Sequence, residues 1–161
     1  MPSFDALEKK VFALATRSII MPIEEIRLEA KLAGLPGIGR RLRRVLAWTV
    51  HENFHVRRVG YHVIRRAKLF RSKAVLDALL RGLSDEVGWV RYDAAWALME
   101  RGRSEPAVLR ALARLARGQK PLTDDEQLDI DLDDDDLRAR IQAANALAHL
   151  KAHRTRGGPN T

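Results

Sequence analysis

Leu83-Ser-Asp-Glu-Val-Gly-Trp-Val-Arg-Tyr-Asp-Ala-Ala-Trp-Ala-Leu98 carries a pattern that the chain uses more than once. Forty-nine residues later, Leu132-Asp-Asp134 and Arg140-Ile-Gln-Ala143-Ala144-Asn-Ala146-Leu147 place Asp134 on Asp85 and Arg140 on Arg91. The small-residue run Ala143, Ala144, Ala146 and Leu147 then falls on Ala94, Ala95, Ala97 and Leu98. Thirty-four residues earlier a looser copy has His51 at the Asp position, Val56-Arg57 on Val90-Arg91 and Gly60 in place of the first paired alanine. Self-similarity at such spacings is the mark of a helical repeat array, in which each unit covers its apolar face with its neighbours.

Each copy reads as a tight turn leading into a second helix, whose small residues allow close approach to neighbouring helices. An amphipathic first helix precedes each one. Val75, Leu76, Leu79, Leu80 and Leu83 follow an N-cap at Ser72, and Val108, Leu109, Leu112, Leu115 and Ala116 follow Ser104 with Pro106 in the first turn. Leu42, Val45, Leu46 and Thr49 serve the first unit in the same way.

This pattern resembles a HEAT repeat, of the kind also found in bacterial bilin-lyase-like proteins, over roughly residues 40–151. The resemblance implies an all-α fold, a short right-handed α-solenoid of about three HEAT-like helix pairs. It also implies a ladder of turn Asp and Arg residues, matched here by Asp85 with Arg91 and Asp134 with Arg140; His51 with Arg57 departs from it and puts the ladder in question there. The expected organisation is one domain over 1–152, with repeats at 40–69, 72–102 and 104–151, an acidic insert at 118–136 and a disordered basic tail at 153–161. Residues 1–34 supply an N-terminal helical cap of two helices, Phe4 to about Ser18 and Pro22 to Ala33, because the ends of such arrays need a cover.

The chain of 161 residues is long enough for a continuous core across these helix pairs. No apolar run approaches the roughly 18 residues of a membrane span. The start, Met1-Pro-Ser-Phe-Asp, is acidic where a secretory signal is basic. There is no cysteine, which excludes disulfide and thiolate chemistry and suits a cytoplasmic location.

Charge is more informative. Residues 124–136 hold nine acids and no base, so the net charge of +8 conceals a body with 29 basic and only 12 acidic residues. Residues 40–73 contain eleven Lys or Arg and one acid, Glu52. Such a surface attracts an acidic macromolecule, either nucleic acid or an acidic protein. The plainer alternative is a set of solvated Arg-rich helix faces.

With Ala94 at zero and about 100° per residue, Val87, Val90, Ala97 and Leu98 lie within about 60° of it, whereas Trp89, Tyr92 and Trp96 lie within about 40° of the opposite side. The equivalent positions one unit earlier are His55, Arg58 and His62, extended by Arg65 and Arg66, and one unit later Arg138, Ile141 and Asn145. If second helices line the concave side, as the resemblance implies, Arg58, His62, Arg65, Arg66, Trp89, Tyr92, Trp96 and Arg138 form a cationic and aromatic surface suited to stacking bases and holding phosphates. Packing between repeats is the competing explanation for the aromatic residues and for Ile141.

Leu35-Pro36-Gly37-Ile38-Gly39, followed by Arg40 and Arg41, is similar to the hairpin of helix-hairpin-helix DNA-binding proteins, which implies a phosphate loop at Gly37, Gly39, Arg40 and Arg41. Arg43 stands where that family has a small residue, and a plain Gly/Pro linker is the other reading. His51-Glu52-Asn53-Phe54-His55 matches the zinc-peptidase string, but repeat register puts residues 51–54 in a turn, so the two imidazoles do not share a helical face. Asp129, Asp131 and Asp133 lack the Gly and Glu of a calcium loop. Thr123-Asp-Asp-Glu126 fits a capping box, and the aspartates before Leu137 suit the N-terminus of the final helix. A folded-over acidic insert competing with the partner is the sharper idea for this segment.

No nucleophile with a base, no phosphate-binding Walker loop and no metal set is apparent, so the expectation is a non-catalytic binding module without cofactor and without a membrane anchor. A protein–protein scaffold or chaperone-like adaptor is the alternative. Trp89 with Asp93 suggests, third, similarity to HEAT-like alkylpurine DNA glycosylases.

Overall fold

The computed structural model describes residues 1–17 and 22–156. Those residues hold eight α-helices and no strand: α1 (Phe4–Ala15), α2 (Pro22–Ala33), α3 (Leu42–Trp48), α4 (Phe54–Arg66), α5 (Lys73–Gly82), α6 (Gly88–Arg101), α7 (Pro106–Ala116) and α8 (Asp135–Arg156). No helix among them is long and apolar enough to cross a membrane. The chain divides into two compact units, Met1–Ala78 and Leu79–Thr161. The first helix ends at Ala15 with Thr16 as its C-cap, while Ser18, its expected end, and most of the expected tail lie outside the described residues. Residues 153–156, expected in that tail, continue α8 as helix.

In the first unit, Ser3 caps α1 by accepting from the Ala6 amide at 3.2 Å. Phe4, Leu7, Val11 and Ala15 recur at helical spacing and are buried. Phe4 stacks flat on Trp48 of α3, centroids 5.5 Å apart, and the Trp48 indole donates to Glu8 at 2.9 Å. Arg44 of α3 returns to α1 by pairing with Asp5 at 2.6 Å and with Glu8. That guanidinium holds the Asp5 carboxyl below the usual carboxylate range.

Both α1 and α2 pack on α4, as does α3. Gly60 makes the α3 approach possible, because a Cβ there would stand 3.0 Å from Thr49 Cγ2 and 3.2 Å from Trp48 Cβ. Ser72 accepts from the Val75 amide at 3.2 Å and caps α5, and Tyr61 of α4 donates its hydroxyl to the Ala78 carbonyl of that helix at 3.0 Å.

In the second unit, α8 packs against both α6 and α7. The seam is built from small side chains: Ala94, Ala95 and Ala97 of α6, and Ala139, Ala143 and Ala146 of α8, are all fully buried. At its head a Cβ on Gly88 would lie 2.6 Å from the Asp135 backbone carbon, so the two helices begin in backbone contact. Asp134 caps α8 by accepting from the Leu137 amide at 3.0 Å, as expected of the aspartate run.

The start of α7 differs from expectation. The capping position is Glu105 rather than Ser104, and Glu105 makes no side-chain cap. Its carboxylate instead grips Arg101 with two bonds, 2.9 and 2.6 Å, and the Arg101 side chain is only 4 % exposed.

Two outcomes follow from this geometry. Gly88→Ala forces α6 and α8 apart and lowers unfolding stability by about 1–3 kcal/mol, read as a shifted urea midpoint; an unchanged midpoint contradicts the backbone contact. The Arg101 pairing lowers the Glu105 pKa, so its stabilisation is complete above the usual glutamate range and is lost as pH falls through the depressed folded value. Glu105→Gln therefore loses stability at neutral pH, and its deficit relative to wild type shrinks on acidification across a pH series of urea titrations.

Candidate functional site

The aromatic row on α6 is real as a physical unit. Trp89, Tyr92 and Trp96 are half-buried and meet edge to face, with centroids 5.4 Å and 6.0 Å apart. Arg138 of α8 closes one end, its guanidinium 5.9 Å from the Trp89 ring centroid. The same guanidinium donates to the Ile130 carbonyl at 2.7 Å and the Asp131 carbonyl at 3.3 Å, so one side chain joins the aromatic row to the acidic segment. Asn145, seven residues on along α8, clamps the start of that segment by accepting from the Leu122 amide at 2.9 Å and donating to the Leu122 carbonyl at 3.0 Å. Within the segment Thr123 and Glu126 form the expected capping box, which holds the Glu126 carboxyl below its usual range. Ile141 is fully buried and belongs to the core. Asp93, one turn beyond Trp89, is buried, 2 % exposed.

The cationic residues of α4 are placed differently from an open row. His62 and Arg66 converge on Glu29 of α2, a carboxylate only 1 % exposed, with Arg66 Nε 3.6 Å from Glu29 Oε2. Arg65 is buried and Arg58 half-buried. These side chains share the expected helix, but His62 and Arg66 are turned toward the buried carboxylate of Glu29 and do not form an open row.

The string at Leu35–Gly39 folds as a tight turn with Gly37 left-handed at φ 71°, which leads through a short 3-10 turn over Ile38–Arg41 into α3. The Ile38 and Arg40 amides donate to Leu35 and Gly37 within the turn. Arg40 is exposed, and the Arg41 guanidinium lies 5.7 Å from the Phe4 ring.

The turn residues repeat faithfully between α3 and α4 and between α5 and α6. Arg57 donates to the carbonyls of His51 and Glu52, both at 3.0 Å; Arg91 donates to those of Asp85 at 2.7 Å and Glu86 at 3.1 Å. Asp85 accepts from the Val87 amide at 2.9 Å, and His51 Nδ1 accepts from the Asn53 amide at 3.0 Å. His51 thus does the aspartate's work in the turn it was expected to disturb. Arg91 also reaches Asp136 at 2.9 Å. The zinc-peptidase string is divided as expected, with His51 outside α4, stacked on Phe12, and His55 inside it. Burial, then the nearby Arg58 charge, pushes the His55 pKa down.

Two groupings escaped the sequence reading. Arg110, Arg114 and Arg117 line a cavity of about 590 Å³ together with Ser84, Asp85 and Arg91, and no ion pair of Arg110, Arg114 or Arg117 is found among the described residues. Arg110 and Arg114 are one turn apart on α7, and Arg117 is its left-handed C-cap. Glu25, Glu29 and His62 bring three potential metal-ligand atoms within 4.8 Å of one another. Glu25 and Glu29 are one turn apart, but nothing local in the sequence announces that α2 meets α4.

The coordinates therefore define an all-α protein of two helical units, with an aromatic row capped by arginine in the second. Comparison of the chain with protein-family models, with curated proteins and with solved structures finds no match.

Two of Arg91's three bonds close its own turn, and the third goes to a half-exposed carboxylate. Arg91→Ala is expected to cost about 1.5–3 kcal/mol, whereas Asp136→Ala costs less than about 1 kcal/mol; equal losses in urea titrations would contradict this division.

Proposed function

We propose that the chain is a HEAT-like helical-repeat module, an α-solenoid in the sense of the sequence reading, that binds an anionic macromolecule without catalysing a reaction. Nucleic acid is the favoured partner. The observation that carries this reading is the row Trp89–Tyr92–Trp96 ended by Arg138, because half-buried aromatic rings beside a guanidinium offer surfaces for bases and a charge for phosphates together. The strongly basic body supplies the long-range attraction.

The acidic segment fits the same reading as an internal competitor. Arg138 and Asn145, two of the positions that the repeat register assigns to the binding face, are the residues that hold it. A polyanion that engages Arg138 has to draw it from the carbonyls of Ile130 and Asp131. An acidic or amphipathic protein partner is the second reading, favoured by Leu128 and Leu132, which stand 79 % and 69 % exposed on that segment.

Binding of a single-stranded oligonucleotide across a salt series tests the proposal, with indole fluorescence as the readout. The expected log affinity falls linearly with log salt, by about 0.7 per phosphate neutralised on a single strand. Arg138→Ala is expected to reduce that slope, Trp89→Ala to weaken binding with the slope kept, and deletion of residues 124–133 to tighten it. Absence of salt-dependent binding, or equal affinity in all variants, overturns the nucleic-acid reading.

A further inference from the structure

The seam between α2 and α4 holds the most concentrated set of ligating side chains among the described residues. Glu25 and Glu29 stand one turn apart on α2, and His62 approaches from α4. Their donor atoms lie within 4.8 Å of one another, and Glu29 is 1 % exposed. A carboxylate at that depth requires positive charge, since burial strongly disfavours an uncompensated anion. His62 faces Glu29 Oε1, and Arg66 lies 3.6 Å from Oε2, so the two oxygens address different partners.

We propose that Glu25, Glu29 and His62 form a binding site for a divalent transition ion of the zinc class, which fastens α2 to α4. Zinc takes carboxylate oxygen and imidazole nitrogen at about 2.0–2.2 Å, so two of its ligands stand at most about 4.4 Å apart. The observed set, within 4.8 Å, is wider than that span by only a few tenths of an ångström. The mixed oxygen and nitrogen donors favour zinc, cobalt or iron over magnesium, which prefers oxygen alone.

His55 adds an independent pointer. It lies seven residues before His62 on the same face of α4 and lines a small cavity with Glu25, Val11, Leu14 and Leu28. Its Nδ1 is buried and makes no hydrogen bond, an arrangement that buried polar atoms rarely keep without a ligand. It shares that cavity with Glu25 and stands outside the three-residue set itself. Arg66, about a third exposed, balances the remaining carboxylate charge or turns toward solvent when the ion enters. The zinc-peptidase string gave no clue to this site, since only its second histidine lies near it.

Calorimetric titration of the full chain, stripped with chelator, uses zinc sulfate as the probe and magnesium sulfate as the control. The expected result is one zinc per chain, a raised thermal midpoint, no magnesium binding, and affinity at least tenfold weaker in Glu25→Gln and in His62→Gln. A variant carrying His149→Asn and His153→Asn, which removes the exposed pair on α8, retains the site. Should the cluster variants fold poorly, imidazole nitrogen resonances of wild type give the answer: His62 shifts until one equivalent has been added. No zinc uptake, uptake lost only in the His149/His153 variant, or an unmoved His62 resonance overturns the proposal.

Discussion

Each turn between paired helices in the first two copies is closed by an arginine six residues into the sequence pattern, and the rest of the architecture depends on that closure. The carbonyls at the turn point away from helical partners, and left alone they would face desolvation without compensation. Arg57 and Arg91 each satisfy two of them with one planar guanidinium. The geometry is the same although the residue that orders the turn amide differs. An imidazole nitrogen and a carboxylate oxygen accept equally well from the amide two residues on, so the constraint acts on acceptor position and not on charge.

Fixing the turn fixes the approach of the second helix, and small side chains decide how close it comes. On α6 the alanines occupy one face and leave the opposite face to large rings. That division is geometric: with backbones of α6 and α8 in contact at Gly88 and Asp135, no volume remains in the seam for an indole. The aromatic residues are therefore displaced to the other side, where Arg138 of α8 reaches Trp89 and the rings pack on one another. A close seam and an aromatic row are two consequences of one choice of side-chain size.

Much of this was legible because it is periodic. The repeat offset located the helix pairs, Ser72 marked the start of α5, and the angular separation of Trp89, Tyr92 and Trp96 from Ala94 placed the rings together. Carrying the register forward also singled out Arg138. What periodicity cannot supply is which faces of distant helices meet. Arg66 and His62 read as open cations because Glu29 lies over thirty residues earlier on α2, and no local pattern links it to α4. Ser104 failed as a cap for a related reason: its neighbour Glu105 takes the capping position while pairing with the nearly buried Arg101, and a buried guanidinium's need for a carboxylate outweighs one capping bond.

The same contrast explains how charge is distributed. Several acids outside the 124–136 segment are drawn into specific pairs: Asp5 and Glu8 with Arg44, Glu29 with His62 and Arg66, Glu105 with Arg101. The segment itself follows another rule, since Arg138 holds its Ile130 and Asp131 carbonyls and Asn145 clamps Leu122 just before it, while its carboxylates, apart from Asp136 on Arg91, are left largely to solvent. Backbone tethering keeps that negative charge adjacent to the aromatic row without neutralising it. Like charge repels a polyanion approaching this face, and the tether consists of a few neutral-acceptor bonds of modest strength. Under the proposed polyanion reading, access to the row would depend on how readily Arg138 exchanges the carbonyls of Ile130 and Asp131 for a charged acceptor, an exchange that charge-assisted bonding favours.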